Sequence, residues 1–166
     1  PVIGEYDIPW EQKQMALRVP ISDEGNMIIY SSDSTESENF ITTMIYDTLI
    51  HHSPYEVNYY IIDCGSMILR YFNDCPIVGD VLNVDETEKV NNLYKMINKE
   101  IENRKNLFQN YNGNYQTFIK NSGKSIPNMV VIINNYEAYY DAFNDYEDTL
   151  VQLTRDAARY GIYFIL

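Results

Sequence analysis

At 166 residues and 45% hydrophobic content the chain is long and apolar enough for one globular domain with a real core. Its formal net charge of −12 argues against a nucleic-acid partner and against direct contact with anionic membrane surfaces, because both depend on clustered Lys and Arg, and the 12 basic residues are scattered. Cys64 and Cys75 form neither a disulfide framework nor a zinc pattern, the adjacent His51 and His52 cannot share a helix face, and no apolar run is long enough to span a bilayer.

In chain order, Met15 to Ile21 alternates weakly and is expected to be an edge strand beside the run that follows. Met27 to Tyr30 reads as a short buried strand. Phe40, Ile41, Met44, Ile45, Thr48 and Leu49 then recur at helical spacing. Val57 to Ile62 is a second buried strand, with Asp63 at its tip read as a turn or cap. Val90, Leu93, Tyr94, Ile97, Ile101 and Phe108 mark a long amphipathic helix, on whose solvated face Glu100, Glu102 and Arg104 are placed. The stretch 109–125, rich in Asn, Gly and Tyr, reads as a surface loop with a short helix at 115–120. Met129 to Ile133 is a third strand, entered through Pro127. Leu150, Leu153, Thr154, Ala157 and Ala158 give a last helix, stopped by Gly161, and Ile162 to Leu166 a fourth strand. Uniformly apolar strands separated by helices imply a parallel sheet covered on both faces, a three-layer α/β fold. A single domain over 1–166 is expected.

Strand, loop, helix is the frame of a phosphate-binding loop, G-x-x-x-x-G-K-[ST]. Between the first buried run and the first helix that frame reads Ser31, Ser32, Asp33, Ser34, Thr35, Glu36, Ser37, Glu38. The length is right and every defining residue is wrong: Ser31 and Glu36 stand for the glycines, Ser37 for the Lys and Glu38 for the Mg²⁺-binding hydroxyl. Such a loop aims backbone N–H groups at phosphate, and glycine permits the positive φ that aims them. Carboxylates repel phosphate instead, by roughly 3 kcal/mol for one contact at about 5 Å and an effective dielectric near 20. Asp33, Thr35 and Ser37 alternate like the start of a calcium loop, but the Gly and Glu such a loop needs further on are missing. Ser122 to Ser125 mimics the tail of the phosphate motif, yet Pro127 and a strand follow it, so it reads as a turn.

The other half of a hydrolase site would be an acid at the tip of the strand 129–133, for Mg²⁺ and water. Asn134 and Asn135 occupy those positions, and an amide is neither a base nor a charged metal ligand. Both halves are thus altered together, and no metal or cofactor is implied by the residues themselves. Arg155 and Arg159 share a helix face and read as surface residues.

The residues that carry a family likeness are Gly4 to Pro9 with Gln12 to Gln14, Asn26 to Tyr30 with the loop after it, Ser53 to Asp63, Val78 to Val81, Glu100 to Arg104, Val131 to Ala138 and Tyr160 to Ile162. Together they resemble the FtsK/SpoIIIE ATPase family, in its type VII secretion branch, over nearly the whole chain. The resemblance implies a RecA-like P-loop NTPase fold with a mainly parallel sheet. It also implies a cytoplasmic domain of a membrane-anchored motor, held to the membrane by other parts of a longer chain. Its implied partners are adjacent ATPase repeats and secreted small helical-hairpin proteins; ATP and Mg²⁺ follow only by family analogy. The chain begins without Met and stops inside an apolar run, as expected of an excerpt. Two functions remain open: a non-hydrolysing repeat acting through docking, or an active translocase domain coupling ATP hydrolysis to transport of protein, less readily of DNA. The acidic cluster of Asp33, Glu36 and Glu38 is either a solvated helix cap or a docking surface for a neighbour's Arg or Lys.

Overall fold

Strands whose two faces are both covered can be apolar throughout, and this governs the sheet. A computed structural model describes residues 1–166. Strands β3 (Val57–Asp63), β4 (Val78–Asn83), β5 (Asn128–Asn134) and β6 (Ile162–Ile165) form one sheet in the order β4-β3-β5-β6, every pair parallel. The register sets Ile61 beside Ile132 and Val130 beside Tyr163.

Side chains alternate across this sheet into two apolar layers. On one face Tyr59, Ile61, Val130, Ile132, Tyr163 and Ile165 pack under helix α2 (Ser34–His51), which contributes Ile41, Met44 and Ile45. On the other, Ile62, Val131, Ile133 and Phe164 meet α3 (Thr87–Leu107), α5 (Tyr136–Phe143) and α6 (Glu147–Asp156) through Val90, Tyr94, Ile97, Tyr139, Leu150 and Leu153. The three-layer α/β architecture expected from the apolar runs is therefore present. Between α3 and β5, α4 (Tyr115–Ser122) closes a small cluster of Phe108, Tyr115 and Phe118; Ser122 is its last residue, its C-cap Gly123 has φ +67, and 124–125 run on as irregular chain into β5, so no helix follows Ser122 to Ser125.

Several elements differ from expectation. Met27 to Tyr30 is not a buried strand of the sheet. Met27 makes a parallel bridge to Ile165 on the outer side of β6, with the Met27 and Ile29 N–H donating to the carbonyls of Phe164 and Leu166, and Ile28 and Tyr30 of the same run face outward, 60% and 90% exposed. Pairing on one side only leaves alternate residues of that run without cover. The fourth strand is instead β4, whose Gly79 and Asp80 weaken its strand signal. Gly79 is needed there: a Cβ would strike the Tyr60 ring. The stretch expected as an edge strand near 27–30 is β2 (Lys13–Arg18), which pairs antiparallel with β1 (Val2–Ile8) in a separate hairpin. That hairpin, followed by the short helix α1 (Ile21–Glu24), rests on α2, where the Val2 N–H donates to Asp47 at 2.9 Å.

Arg104 also departs from its expected place. It is 2% exposed, not on a solvated face. Its guanidinium donates to Glu100 (2.7 Å) and to the carbonyls of Tyr160 (2.9 Å), Gly161 (3.3 Å) and Pro127 (2.8 Å). The chain entering β5 and β6 is thereby tied to α3.

Candidate functional site

The loop Ser31 to Glu38 winds into the first turns of α2. Asp33 is the N-cap, extended at φ −132, and its carboxylate accepts from the Thr35 N–H at 2.8 Å. That bond holds the Asp33 carboxyl below its ordinary pKa. The Ser31 hydroxyl lies 2.7 Å from the Asp33 carbonyl and 3.0 Å from Glu36 Oε2, and Ser37 donates to the Ser34 carbonyl. Ser31, Ser32, Asp33, Ser34, Thr35 and Glu36 are exposed. No residue from 31 to 38 has positive φ, so the backbone lacks the left-handed geometry with which a glycine loop turns its N–H groups onto phosphate. Asp33 and Ser37 are spent on local bonds and do not converge as calcium ligands; no three His, Cys, Asp or Glu side chains converge anywhere in the chain.

Glu38 behaves differently from the rest of the loop. It is 7% exposed and points across the C-terminal ends of β3 and β5. Its carboxylate accepts from the Ser66 N–H (3.0 Å), the Ser66 hydroxyl (2.8 Å) and the Asn134 amide (3.1 Å). Burial alone would raise its pKa, but the bonds from the Ser66 N–H, Asn134 and the Ser66 hydroxyl outweigh burial and hold the carboxyl below its usual range. Asn134 Nδ2 also donates to Asp63 Oδ1 at 2.8 Å. The amide is oriented by this pair of acceptors, because the opposite orientation would set its oxygen against two carboxylates.

Asp63 completes the cluster. It is 2% exposed and accepts from the Gly65 N–H (3.0 Å) and the Leu69 N–H (3.3 Å) as well as from Asn134. It is thus the turn-capping residue its position suggested, and a buried one. Gly65 passes so close that a Cβ would lie 2.5 Å from Asn134 Nδ2 and 2.7 Å from Glu38 Oε1. Asn135 stands apart: it adopts φ +63 and caps α5, accepting from the Ala138 N–H at 3.2 Å.

Of the positions singled out in the sequence, the fold therefore brings Glu38 and Asn134 into direct contact and leaves 31–36 on the surface. Glu38 does not belong to an exposed acidic cluster with Asp33 and Glu36, since its oxygens are taken up inside the chain. Ser66 and Gly65 were not legible as site residues; the only signal was a small-residue turn, Cys64-Gly65-Ser66, directly after a buried acid. A groove of about 410 Å³ lies at the other end of the strands, beside Val57 and Asn128, away from this cluster.

Comparison with known proteins agrees with this architecture. The FtsK/SpoIIIE family model matches residues 10–134. The type VII secretion system protein EssC of Staphylococcus aureus strain MRSA252 is 30% identical over 167 residues, covering 99% of this chain and 11% of that protein. The solved EssC (ATPases 2 and 3) from Geobacillus thermodenitrificans superposes with a TM-score of 0.85 at 26% identity, covering 99% of this chain and 32% of that one. The cytoplasmic domain of the Thermomonospora curvata type VII secretion ATPase EccC gives 0.86 at 20% identity over 99% of this chain and 20% of that one, which speaks for the fold alone. The chain thus spans about a ninth of the length of its curated EssC relative. It belongs to the FtsK/SpoIIIE family, as an EssC/EccC-like ATPase-family domain with the RecA-like P-loop NTPase fold.

Proposed function

We propose that this is a non-hydrolysing repeat of an EssC-like type VII secretion motor, working through contacts with neighbouring ATPase domains of the same polypeptide. The observation that carries the reading is the Asn134 amide donating at once to Glu38 and Asp63. In a working site the first of these positions would offer an acid and the second a hydroxyl, both to Mg²⁺. Here the two side chains bond to each other, and the site's interior is filled by its own groups.

The residues present suit a nucleoside triphosphate poorly. Ser37 stands where the motif's Lys would be, and the Glu38 carboxylate occupies the spot where a metal-bound hydroxyl would sit. A phosphate approaching α2 meets Asp33 and Glu36 before it meets any N–H at the helix N-terminus. Placement on the cytoplasmic side, and engagement of secreted helical-hairpin substrates by the parent protein, follow from the EssC likeness as parts of the same proposal; no helix here is long and apolar enough to cross a membrane.

The test is a titration of the chain with labelled ATP in the presence of Mg²⁺. The expected outcome is no saturable binding tighter than about millimolar, a standard free energy of roughly −4 kcal/mol. Micromolar affinity, or turnover abolished by changing Glu38, would defeat the proposal.

A further inference from the structure

We propose that the turn Ser66–Tyr71, just beyond β3, is the docking surface by which this domain meets a neighbouring ATPase-type domain of the same polypeptide; this rests on the non-hydrolysing reading above. The segment alternates anchors with projections. Leu69 and Phe72 are buried in the core, whereas Met67, Ile68 and Tyr71 stand out at 45%, 40% and 87% exposure. Three large apolar side chains within five residues make a contiguous exposed patch of the kind that marks interaction sites.

The turn is also fixed in shape. Cys64 N–H donates to the Asn134 carbonyl (3.1 Å), Gly65 and Leu69 N–H to Asp63, and Ser66 by both N–H and hydroxyl to Glu38. Met67 is held at φ +65, a left-handed conformation that a non-glycine residue adopts only when its surroundings impose it. The closed cluster thus acquires a use: Glu38 and Asp63 hold the patch in one geometry, which lowers the ordering cost of docking.

The partner follows from charge and chain length. Arg70 is exposed within the patch and makes no ion pair in a chain of net charge −12. The complementary surface therefore carries an apolar recess beside a carboxylate. The EssC relative is about nine times longer than this chain, and its solved counterpart carries two ATPase domains in one polypeptide. A tethered domain meets the patch at a high effective concentration, so the same chain is the favoured source of that surface.

The experiment uses the full-length protein with Tyr71→p-benzoylphenylalanine, and Val151→p-benzoylphenylalanine on α6 as a control at another exposed apolar position. The expected result is an intramolecular cross-link from position 71, mapped by mass spectrometry to another ATPase-type domain and clearly above the control. Ile68→Glu lowers its yield by about tenfold, as loss of a central apolar contact does. Arg70→Glu, at a side chain that makes no hydrogen bond or ion pair within the domain, lowers it too, so the proposal stays testable if Ile68→Glu misfolds. A yield at 71 no higher than at 151, or capture only of a second molecule or of exported substrate, overturns it. Tight ATP binding with the cross-link intact would remove the non-hydrolysing reading and leave the surface. Loss of the cross-link with ATP still unbound would do the reverse.

Discussion

The two ends of the central sheet solve the same problem with opposite charges. At the C-terminal ends of β3 and β5, two buried carboxylates, Glu38 and Asp63, are satisfied by N–H groups of Gly65, Ser66, Leu69 and Asn134. At the N-terminal ends of β5 and β6, one buried guanidinium, Arg104, is satisfied by the carbonyls of Pro127, Tyr160 and Gly161 and by Glu100. Burying a charge is tolerable only when its bonds are complete, and both clusters meet that condition. The difference lies in what each cluster holds. Arg104 ties main-chain segments that enter the sheet, so its role is architectural. Glu38 and Asp63 hold a turn whose outward side chains are free of the core, and they do so where the strand–loop–helix frame of a phosphate-binding motif would lie.

The largest effect is expected at the cationic end. Arg104→Ala strands three carbonyls and Glu100 and is expected to cost about 3 to 5 kcal/mol in urea denaturation. Arg104→Lys recovers only part, because an ammonium cannot span the same fork of acceptors. A loss below about 1 kcal/mol would break the comparison by making this end dispensable.

Next comes Gly65→Ala at the anionic end. The added methyl must displace Asn134 Nδ2 and Glu38 Oε1. We expect a loss of about 2 kcal/mol by chemical denaturation, as for overpacking of a well-filled site. Amide exchange at Ser66 and Leu69 should accelerate while protection at Val131 is kept. Equal loss of protection in both places would mean that the turn is not a separate unit.

Glu38→Gln sharpens the comparison through pH. The Glu38 carboxyl sits below its ordinary value of 4.5 when folded. Its contribution is therefore present above the unfolded pKa and is lost as pH falls through the lower folded value. Stability of the natural chain should decline in that acidic window, and the Gln variant should start about 2 kcal/mol lower at neutral pH with a shallower decline. Identical slopes from pH 5 downward would show that Glu38 is not held as described.

The smallest effect is expected at Asp33, which touches only its own helix turn. Asp33→Ala should raise amide exchange at Thr35 and lower stability by about 1 kcal/mol, the usual cost of removing a helix N-cap.

Much of the fold was legible because parallel strands buried on both faces read as nearly continuous apolar runs, as in 57–62, 129–133 and 162–166. β4 was not, because Gly79 and Asp80 interrupt its pattern, and 27–30 misled because an apolar run says nothing about how many neighbours it will have. Residues 31–38 and Asn134 were legible as departures from the phosphate-loop motif and its partner acid. Their mutual contact was not, since Glu38 and Asn134 are 96 residues apart and only the sheet brings them together. Arg104 was taken for a surface residue because Glu100 four positions earlier completes a familiar helix-surface pair. That pair exists, but it is the outermost of four bonds.

The central claim, that the nucleotide-type site is closed by its own side chains, is tested most directly by following the Asn134 side-chain amide and the Ser66 N–H by NMR during titration with ATP and Mg²⁺. The account predicts that both resonances stay in place through millimolar nucleotide, with the Asn134 amide protons protected from solvent. A saturable shift of both signals with micromolar midpoint would contradict it, because nucleotide would then be opening the Glu38–Asn134–Asp63 cluster.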